Sequence, residues 1–452
     1  MKNVESLKRQ VVSKKLLSIY IVAVAVRLLF VWLYPGASYY GGITNEYVDA
    51  ASNLLHGHGL TAYVDIASYS SGLVHFAYLP FIGRPLGYVL IFAVLSLIGN
   101  GTHLVFFQIV QALITAYSVI LVYRLTQLVF RKIGHVDRLA TAASILAAIW
   151  PNQARFEVAL LPDGLTTLVL LALALYLTRY VQTRRTKDLA LAGLMLGGSI
   201  YFRPDLVLLP FFLLPVFWIL FSFKRAIPAL VMLCLFLGIA IGLNAWKNYA
   251  ISGEFVPLNL GSGTTMYEGI SQFGDTLGTT YADERVAHNK LNTKQLFYPE
   301  GRKHDQALFR EAVDTIEHHP WFYTTVILRR IPLLFTVRGL FFSDSVSLSN
   351  ASEDLSQRFP GKYIAMFKEH PLLLTIRFLS PLLGWLLVLS AAIGIYFSFR
   401  TAREDHAMVL LLLFYFISTH LMTNVEPRYF YPAVPLLYPY ALFAFRRWRR
   451  AG

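Results

Sequence analysis

Glu46 and Asp49 stand three residues apart in the stretch Ile43-Thr44-Asn45-Glu46-Tyr47-Val48-Asp49. On a helix that spacing puts both carboxylates on one face, where an acid pair can take a proton from an acceptor hydroxyl. Charged groups recur at Arg84, at Glu157 and Asp163, at Arg203-Pro204-Asp205, at Lys247-Asn248-Tyr249 and at Glu426-Pro427-Arg428-Tyr429. Arg and Lys bind a phosphate and neutralise the charge it gains as it leaves. Together these residue types suit transfer of a group from a phosphate ester to a hydroxyl. Each cluster alone also reads as a solvated polar face, or as charges anchoring helix ends.

The elements that must position these groups are membrane spans. Of the 452 residues, 56% are hydrophobic and only 15% charged, and the mean hydropathy is +0.52. A soluble domain carries about a quarter charged residues, so the composition is that of a multi-span integral membrane protein. A net charge of +14 would point to nucleic acid in a soluble chain. Here the polar region from Lys247 to His370 holds 13 Lys/Arg against 14 Asp/Glu, and the excess lies at the chain ends and in short loops. That is the positive-inside pattern, and it argues against a nucleic-acid partner. The single cysteine, Cys234, sits in an apolar run, which excludes a disulfide framework or a cysteine metal site.

Lys2, Lys8, Arg9, Lys14 and Lys15 precede an apolar run from Leu16 to Tyr34. It is too long for a signal-peptide core and reads as an uncleaved first span with the N-terminus inside. Arg27, within it, must face the bundle interior and find a partner. In the outer loop 35–102, Thr44 and Asn45 are N-cap types, Val48, Ala51, Leu54 and Leu55 recur at helical spacing, and Gly57 and Gly59 follow. They predict a short amphipathic helix on the membrane surface. The apolar run Leu86 to Ile98 is short for a crossing and predicts a re-entrant or surface helix. Tyr39, Tyr40, Tyr63 and Tyr69 read mostly as interface belt.

Further spans are expected at 103–129, 139–152, 163–181, 189–202, 205–222, 227–246, 372–399 and 407–423, with a last one ending near 445. Arg131-Lys132, Arg184-Arg185-Thr186-Lys187 and Lys224-Arg225 place their connections inside. His319-Pro320-Trp321 opens an apolar stretch broken by Arg329, Arg330 and Arg338, which suits an interfacial helix. About ten crossings with both termini inside satisfy every charge cluster. The acids and bases singled out above then meet on the outer side. Helix anchoring explains that whole set poorly, because short outer loops should be depleted of Arg.

At these residues the sequence resembles the GT-C superfamily of polyprenyl-phosphate-dependent glycosyltransferases. The similar branch holds the protein O-mannosyltransferases and the lipid A aminoarabinose transferase. Tyr47 to Gly57 is similar to the family's first-loop helix, and Arg84-Pro85-Leu86-Gly87-Tyr88 to its basic-residue–proline motif. Trp150-Pro151 through Leu161-Pro162-Asp163 resembles the second outer loop, which ends in an acid. Arg203-Pro204, Trp246-Lys247-Asn248-Tyr249 with Gly253, and Arg428-Tyr429 with Pro432 and Pro435 resemble later signatures in the same order. The resemblance implies inverting transfer of a sugar from a polyprenyl phosphate on the external face, without a metal or other cofactor.

By the same resemblance a first-loop acid is the general base and Arg84 binds the donor phosphate, with Arg203, Lys247 or Arg428. Asp163 helps to organise the acceptor, and Glu157, Tyr88 and Tyr249 join the substrate-facing set. The pattern departs at one place: members carry an acid four residues before the aromatic aligned with Tyr47, where this chain has Ile43. Glu46 is the nearest substitute and Asp49 the next. Gly261-Ser262-Gly263 resembles the turn after the last catalytic span and can shape an acceptor groove. His56 and His58 with Asp49, and His318-His319 with Asp314, are the weak candidates for a metal site.

The reading is therefore an all-α integral membrane protein, a GT-C-like bundle with surface helices in the first outer loop and a mixed outer region. Its divisions are 1–246, 247–371 and 372–452. Its partners are a polyprenyl-phosphate sugar, a glycan, lipid or protein acceptor, and the bilayer. The expected location is an inner (plasma) membrane with the site extracytoplasmic. A flippase or transporter and a polymerase or ligase for polyprenyl-linked glycans remain as alternatives. The lack of an internal repeat weighs against a transporter built of duplicated halves.

Overall fold

The computed structural model describes residues 2–36, 41–65, 76–274, 277–280, 283–292, 296–298, 300–335, 371–400, 403–426 and 428–451. Tyr39, Tyr40, Tyr69, Arg338 and Pro427 lie outside them. The described chain is helical apart from one antiparallel hairpin, β1 (Thr61–Asp65) with β2 (Phe76–Pro80), in which Tyr63 pairs with Tyr78.

The helices in order are α1 (Lys2–Leu33), α2 (Gly41–Leu55), α3 (Leu86–Gly99), α4 (Leu104–Thr115), α5 (Ser118–Val129) and α6 (Val136–Ile149). Then follow α7 (Pro151–Val158), α8 (Asp163–Thr183), α9 (Thr186–Ser199), α10 (Leu209–Phe221), α11 (Phe223–Ser252) and α12 (Ser262–Ile270). The last are α13 (Asp283–Val286), α14 (Gly301–His318), α15 (Pro320–Phe335), α16 (Pro371–Phe399), α17 (Arg403–Met422) and α18 (Tyr438–Ala451).

Among the described residues six stretches are long and apolar enough to cross a membrane: Lys14–Leu33, Leu104–Val129, Asp163–Thr183, Phe223–Ser252, Pro381–Phe399 and Arg403–Met422. The spans expected at 139–152, 189–202 and 205–222 fall on helices of 14, 14 and 13 residues. Proline explains part of the shortening. Pro151 starts a separate helix, and Pro204 opens a 3-10 turn before α10; neither residue can donate a ladder hydrogen bond. The last expected span likewise begins as a 3-10 turn, Tyr431–Leu436, with Pro432 and Pro435 in it.

Close packing of the bundle rests on small residues at crossings. A Cβ at Gly394 of α16 would lie 1.9 Å from the Tyr440 carbonyl oxygen of α18, and one at Gly197 of α9 would lie 2.7 Å from that of Phe236 in α11. Along the first loop, α2 starts at Gly41, earlier than the expected cap. Thr44 is therefore inside the helix, and its hydroxyl donates to the Leu160 carbonyl at 2.8 Å. The chain leaves α2 through Gly57 and Gly59, both at positive φ, as glycines after a helix end allow. The α14–α15 pair also departs from a purely interfacial reading. Trp321 is exposed, but Arg330 is buried and donates to the Leu421 carbonyl at 2.7 Å and to Gln272 Oε1 at 3.0 Å.

Arg27 has the partner its depth demands. It and Glu157 are both wholly buried, with Arg27 Nε 2.7 Å from Glu157 Oε2. Gln153 Nε2 donates to the other carboxylate oxygen at 2.9 Å, and Arg27 also reaches the Ala23 carbonyl at 3.0 Å. Glu157 thus joins α7 to α1 inside the bundle. Removing one member leaves an uncompensated buried charge, so Glu157→Ala should cost about 3–5 kcal/mol. Arg27→Met combined with Glu157→Leu should recover most of that loss. Reversible unfolding in detergent checks it, and a double variant no more stable than Glu157→Ala would contradict this role.

Candidate functional site

One end of the bundle is built around Arg203, in the link between α9 and α10. Its guanidinium pairs with Asp163, the first residue of α8, and its Nε lies 2.8 Å from Asp205 Oδ2. The Tyr429 ring centroid is 4.8 Å from the same guanidinium. Burial works against the charge, but Asp205 and Asp163 carry the Arg203 pKa above its ordinary value. Burial raises the Tyr429 phenol, and Glu426 adds to that. Arg428 Nε lies 2.8 Å from Glu426 Oε2.

The first loop closes a second side. Arg84 Nε donates to Glu46 Oε2 at 2.8 Å, and its guanidinium stands over the Phe297 ring at 5.2 Å. The loop carrying Arg84 is pinned to the Arg203 segment by backbone: the Gly87 N–H donates to the Tyr201 carbonyl at 2.8 Å. Tyr47 is buried edge-on against Tyr88, with ring centroids 5.2 Å apart. The Tyr88 hydroxyl donates to Gln111 Oε1 at 2.6 Å. Gln111 Nε2 then donates to the carbonyls of Glu157 at 2.9 Å and Ala159 at 2.7 Å. Tyr88 therefore braces the loop that delivers Asp163.

These groups surround a cavity of about 1010 Å³. Arg84, Asp163, Arg203, Asp205, Arg428 and Tyr429 line its charged part, while Ile43, Phe202, Phe212, Phe255 and Met422 supply apolar wall. Glu268, Arg302, Asp305, His420 and Glu426 also line it. The Gly261-Ser262-Gly263 turn forms part of the rim, held by Asp305 Oδ1, which accepts from the Gly261 N–H at 3.0 Å and the Gly263 N–H at 2.8 Å.

The sequence-predicted residues separate into two groups. Asp163, Arg84, Arg203 and Arg428 converge on the cavity, with Glu46 at its edge through Arg84. Asp49 does not share that edge. Ile43 and Tyr47, four apart, face the wall, and Asp49 lies about 240° round the helix from Ile43. Burial and then the nearby Glu46 charge raise the Asp49 pKa. Glu157 and Tyr88 are buried behind the wall rather than on it.

Lys247 and Tyr249 are not among the lining residues, and Tyr249 is 59% exposed. Their neighbours Asn244 and Asn248 face inward instead. Asn244 donates to the Leu258 carbonyl at 2.6 Å and Asn248 to that of Val256 at 2.6 Å, folding the chain after α11 into wall. A residue beside such a stripe is turned by about 100°, and that rotation carries Lys247 away.

Sequence reasoning gave no role to His420, Glu268, Arg302 or Asp305, and Asp205 and Glu426 entered only with their clusters. A titratable residue near the outer end of an otherwise apolar span was the available signal for His420. Among the described residues, no group of three His, Cys, Asp or Glu is arranged to hold a metal ion. His56 Nδ1 lies 2.8 Å from the Ser52 carbonyl, and His58 stacks on Tyr78 at 4.3 Å. His318 Nδ1 lies 3.3 Å from Asp314 Oδ1.

A family model described as dolichyl-phosphate-mannose-protein mannosyltransferase matches residues 83–246. No curated protein matches the chain. The apo oligosaccharyltransferase of Archaeoglobus fulgidus has a similar structure, with a TM-score of 0.50 and 14% identity over 97% of this chain and 52% of that one. ArnT from Cupriavidus metallidurans, solved with undecaprenyl phosphate, gives a TM-score of 0.48 and 12% identity over 94% of this chain and 60% of that one. The Archaeoglobus enzyme AglB, in complex with an inhibitory peptide and a dolichol-phosphate, gives 0.48 and 12% identity over 97% and 52%. The chain spans about half the length of the solved structures it matches. The family match and the shared fold bear out the resemblance to the GT-C superfamily, and the fold is a GT-C-like membrane bundle.

Gly87 gives this geometry a direct test. A Cβ there would stand 2.5 Å from the Tyr201 carbonyl oxygen, so the Arg84 loop and the Arg203 segment would be forced apart. Gly87→Ala should cost about 1–3 kcal/mol, as overpacking does, whereas Gly42→Ala, with open space around it, should change stability little. Thermal unfolding of both variants in detergent checks the contrast.

Proposed function

We propose that the protein transfers a sugar from a polyprenyl-phosphate donor to an acceptor hydroxyl, with inversion, in this cavity. The observation that carries the reading is the convergence of Arg84, Arg203 and Arg428 with Asp163 in one chamber that also has apolar wall. Guanidinium groups suit a phosphate leaving group, and apolar wall suits a lipid carrier. The matched family region, residues 83–246, contains Arg84, Asp163 and Arg203, and its description names a polyprenyl-phosphate sugar. The basic connections Arg131-Lys132, Arg184-Arg185 and Lys224-Arg225 follow α5, α8 and α10 at their far ends from the cavity. By the positive-inside rule the cavity then opens on the extracytoplasmic side.

In the reaction the acceptor oxygen attacks the anomeric carbon, and the bond from that carbon to the phosphate oxygen breaks. Arg203 and Arg428 hold the departing phosphate, and Asp163 orients both Arg203 and the acceptor. A phosphate taken by Arg84 replaces Glu46 as its partner and frees that carboxylate to accept the hydroxyl proton. Asp49 is turned away from this centre, and Lys247 lies off the wall.

Purified protein in vesicles, given a panel of undecaprenyl-phosphate sugars and mixed acceptors, should release undecaprenyl phosphate. Glu46→Gln should lower the rate about 10²–10⁴-fold, the range of a general base, and Arg203→Ala about 10²–10³-fold, the range of a charge-stabilising donor. Asp49→Asn and Lys247→Ala should stay within about threefold of wild type, as residues outside the reacting geometry do. Absence of release from every donor would sink the proposal. Loss in Asp49→Asn with survival of Glu46→Gln would keep the transfer and move the base.

A further inference from the structure

At the end of the bundle opposite the cavity, two sets of basic residues differ in how their charges are answered. Arg131 and Lys132, after α5, both reach the buried Asp405 carboxylate, at 2.8 and 3.1 Å. Arg184, Arg185 and Lys187, where α8 passes into α9, and Lys224 and Arg225, at the start of α11, have no such anchor. Among the described residues none of these five forms an ion pair. Asp188 is already taken by Arg179 at 3.2 Å, and the exposed Glu404 acts on Arg184 only from beyond ion-pair distance.

The fold brings two of the five to one corner. Ser222 alone reverses the chain between α10 and α11, at φ 90°, so the end of α10 and the start of α11 meet there. The Arg184 guanidinium lies on the ring of Phe221, 3.5 Å from its centroid. Burial lowers the Arg184 pKa; Tyr180 opposes that, the like charge of Arg225 adds to it, and Glu404 opposes it again. Two exposed guanidiniums are thus held near each other against their own repulsion, one of them fixed by a ring. Beside them Trp218, Ile219 and Phe223 are exposed, with Trp218 edge-on to Phe223 at 5.7 Å. Exposed aromatic rings at a span end mark headgroup depth in a bilayer. The exposed Val231 and Leu235 continue the apolar surface along α11.

We infer that Arg184 and Arg225 form a headgroup site for an acidic phospholipid, its phosphate between the two guanidiniums and its chains along α10 and α11. Charge complementarity sets the class of ligand. An anion placed between the two guanidiniums offsets their repulsion, and each can give a phosphate paired N–H donors. A zwitterionic lipid carries its own ammonium group into the same field of unpaired cations, whereas phosphatidylglycerol carries none. The apolar surface at Trp218 and Ile219 gives the acyl chains a wall that a phosphate free in solution cannot use. This binding goes beyond the reaction proposed for the cavity and does not depend on it.

The test titrates full-length protein in detergent with phosphatidylglycerol, or with phosphatidylcholine of the same chains. Binding is read from the rise in Tm and from lipid retained in native mass spectrometry. Wild type should bind phosphatidylglycerol about tenfold more tightly, the scale of a hydrogen bond to a charged group, and the difference should shrink as salt rises. Arg225→Gln should weaken phosphatidylglycerol about tenfold. Arg225→Lys, which keeps the charge without the planar fork, should fall between the two. Arg138→Gln removes the same charge from an exposed residue at the same end of the bundle but outside the corner, and should change binding less than about threefold. Equal binding of the two lipids by wild type would overturn the site. Equal weakening by Arg138→Gln and Arg225→Gln would overturn it too, since only a general surface attraction would then remain.

Discussion

Arg203 answers two carboxylates at once, and the cavity end of the molecule is arranged by that fact. Asp163 begins α8, Asp205 lies in the turn that begins α10, and both meet one buried guanidinium. A carboxylate taken from water without a partner costs several kcal/mol, so neither helix can shift alone without losing an ion pair. The Tyr429 ring adds the turn before the last helix to the same centre. Arginine serves here better than lysine, because its planar fork can face two acceptors and a ring together. The arrangement leaves one negative charge in excess at the triad, and the nearby Arg84 and Arg428 are already paired with Glu46 and Glu426. Any anion that enters must share or exchange these partners.

Backbone contacts set how finely the parts meet. The Gly87 N–H bond to Tyr201 fixes the Arg84 loop against the Arg203 segment, and no side chain fits in that gap. Gly164 does the same beside Asp163, where a Cβ would lie 2.9 Å from the Glu157 carbonyl oxygen. Deeper in, the Arg27–Glu157 pair anchors the preceding helix, and Gln111 ties the intervening carbonyls to Tyr88. Polar groups buried in a bundle are tolerated when each is matched; here the matched network runs from the first span to the loop that delivers Asp163.

Much of this was legible in the sequence, for identifiable reasons. Long apolar runs announce α1, α8, α11, α16 and α17 because a crossing helix must satisfy its backbone internally and face lipid. A charge in the first span announces a partner, and Arg27 has one in Glu157. The convergence of Arg84, Asp163, Arg203 and Arg428 followed from topology, since loops on one side of a bundle are neighbours. What stayed hidden depended on rotation rather than position. Lys247 stands at the right depth but on the wrong side of α11, and Tyr88 and Glu157 point behind the wall. The hairpin β1–β2 was missed because its strands pair across a gap, which local periodicity does not reveal. His420 was hidden inside a span whose hydropathy it hardly alters.

Ile43 bears most directly on how the site works. It presents an apolar side chain to the cavity, where the resemblance implies an acid, so the wall itself supplies no base there. The nearest carboxylate, Glu46, is at the same time the partner of Arg84 at 2.8 Å. Under the proposed reaction, one ion pair therefore joins phosphate binding to proton removal. While the pair is closed, the guanidinium occupies the carboxylate and keeps it from the hydroxyl. A phosphate that takes Arg84 opens the pair and turns the Glu46 carboxylate over to the acceptor hydroxyl. Because the pair is partly exposed, with side-chain exposures of 21% and 37%, water screens it and the exchange faces a far smaller cost than at Arg203. The weak ion pair is then the one that can open, and the strong one is the frame against which it opens.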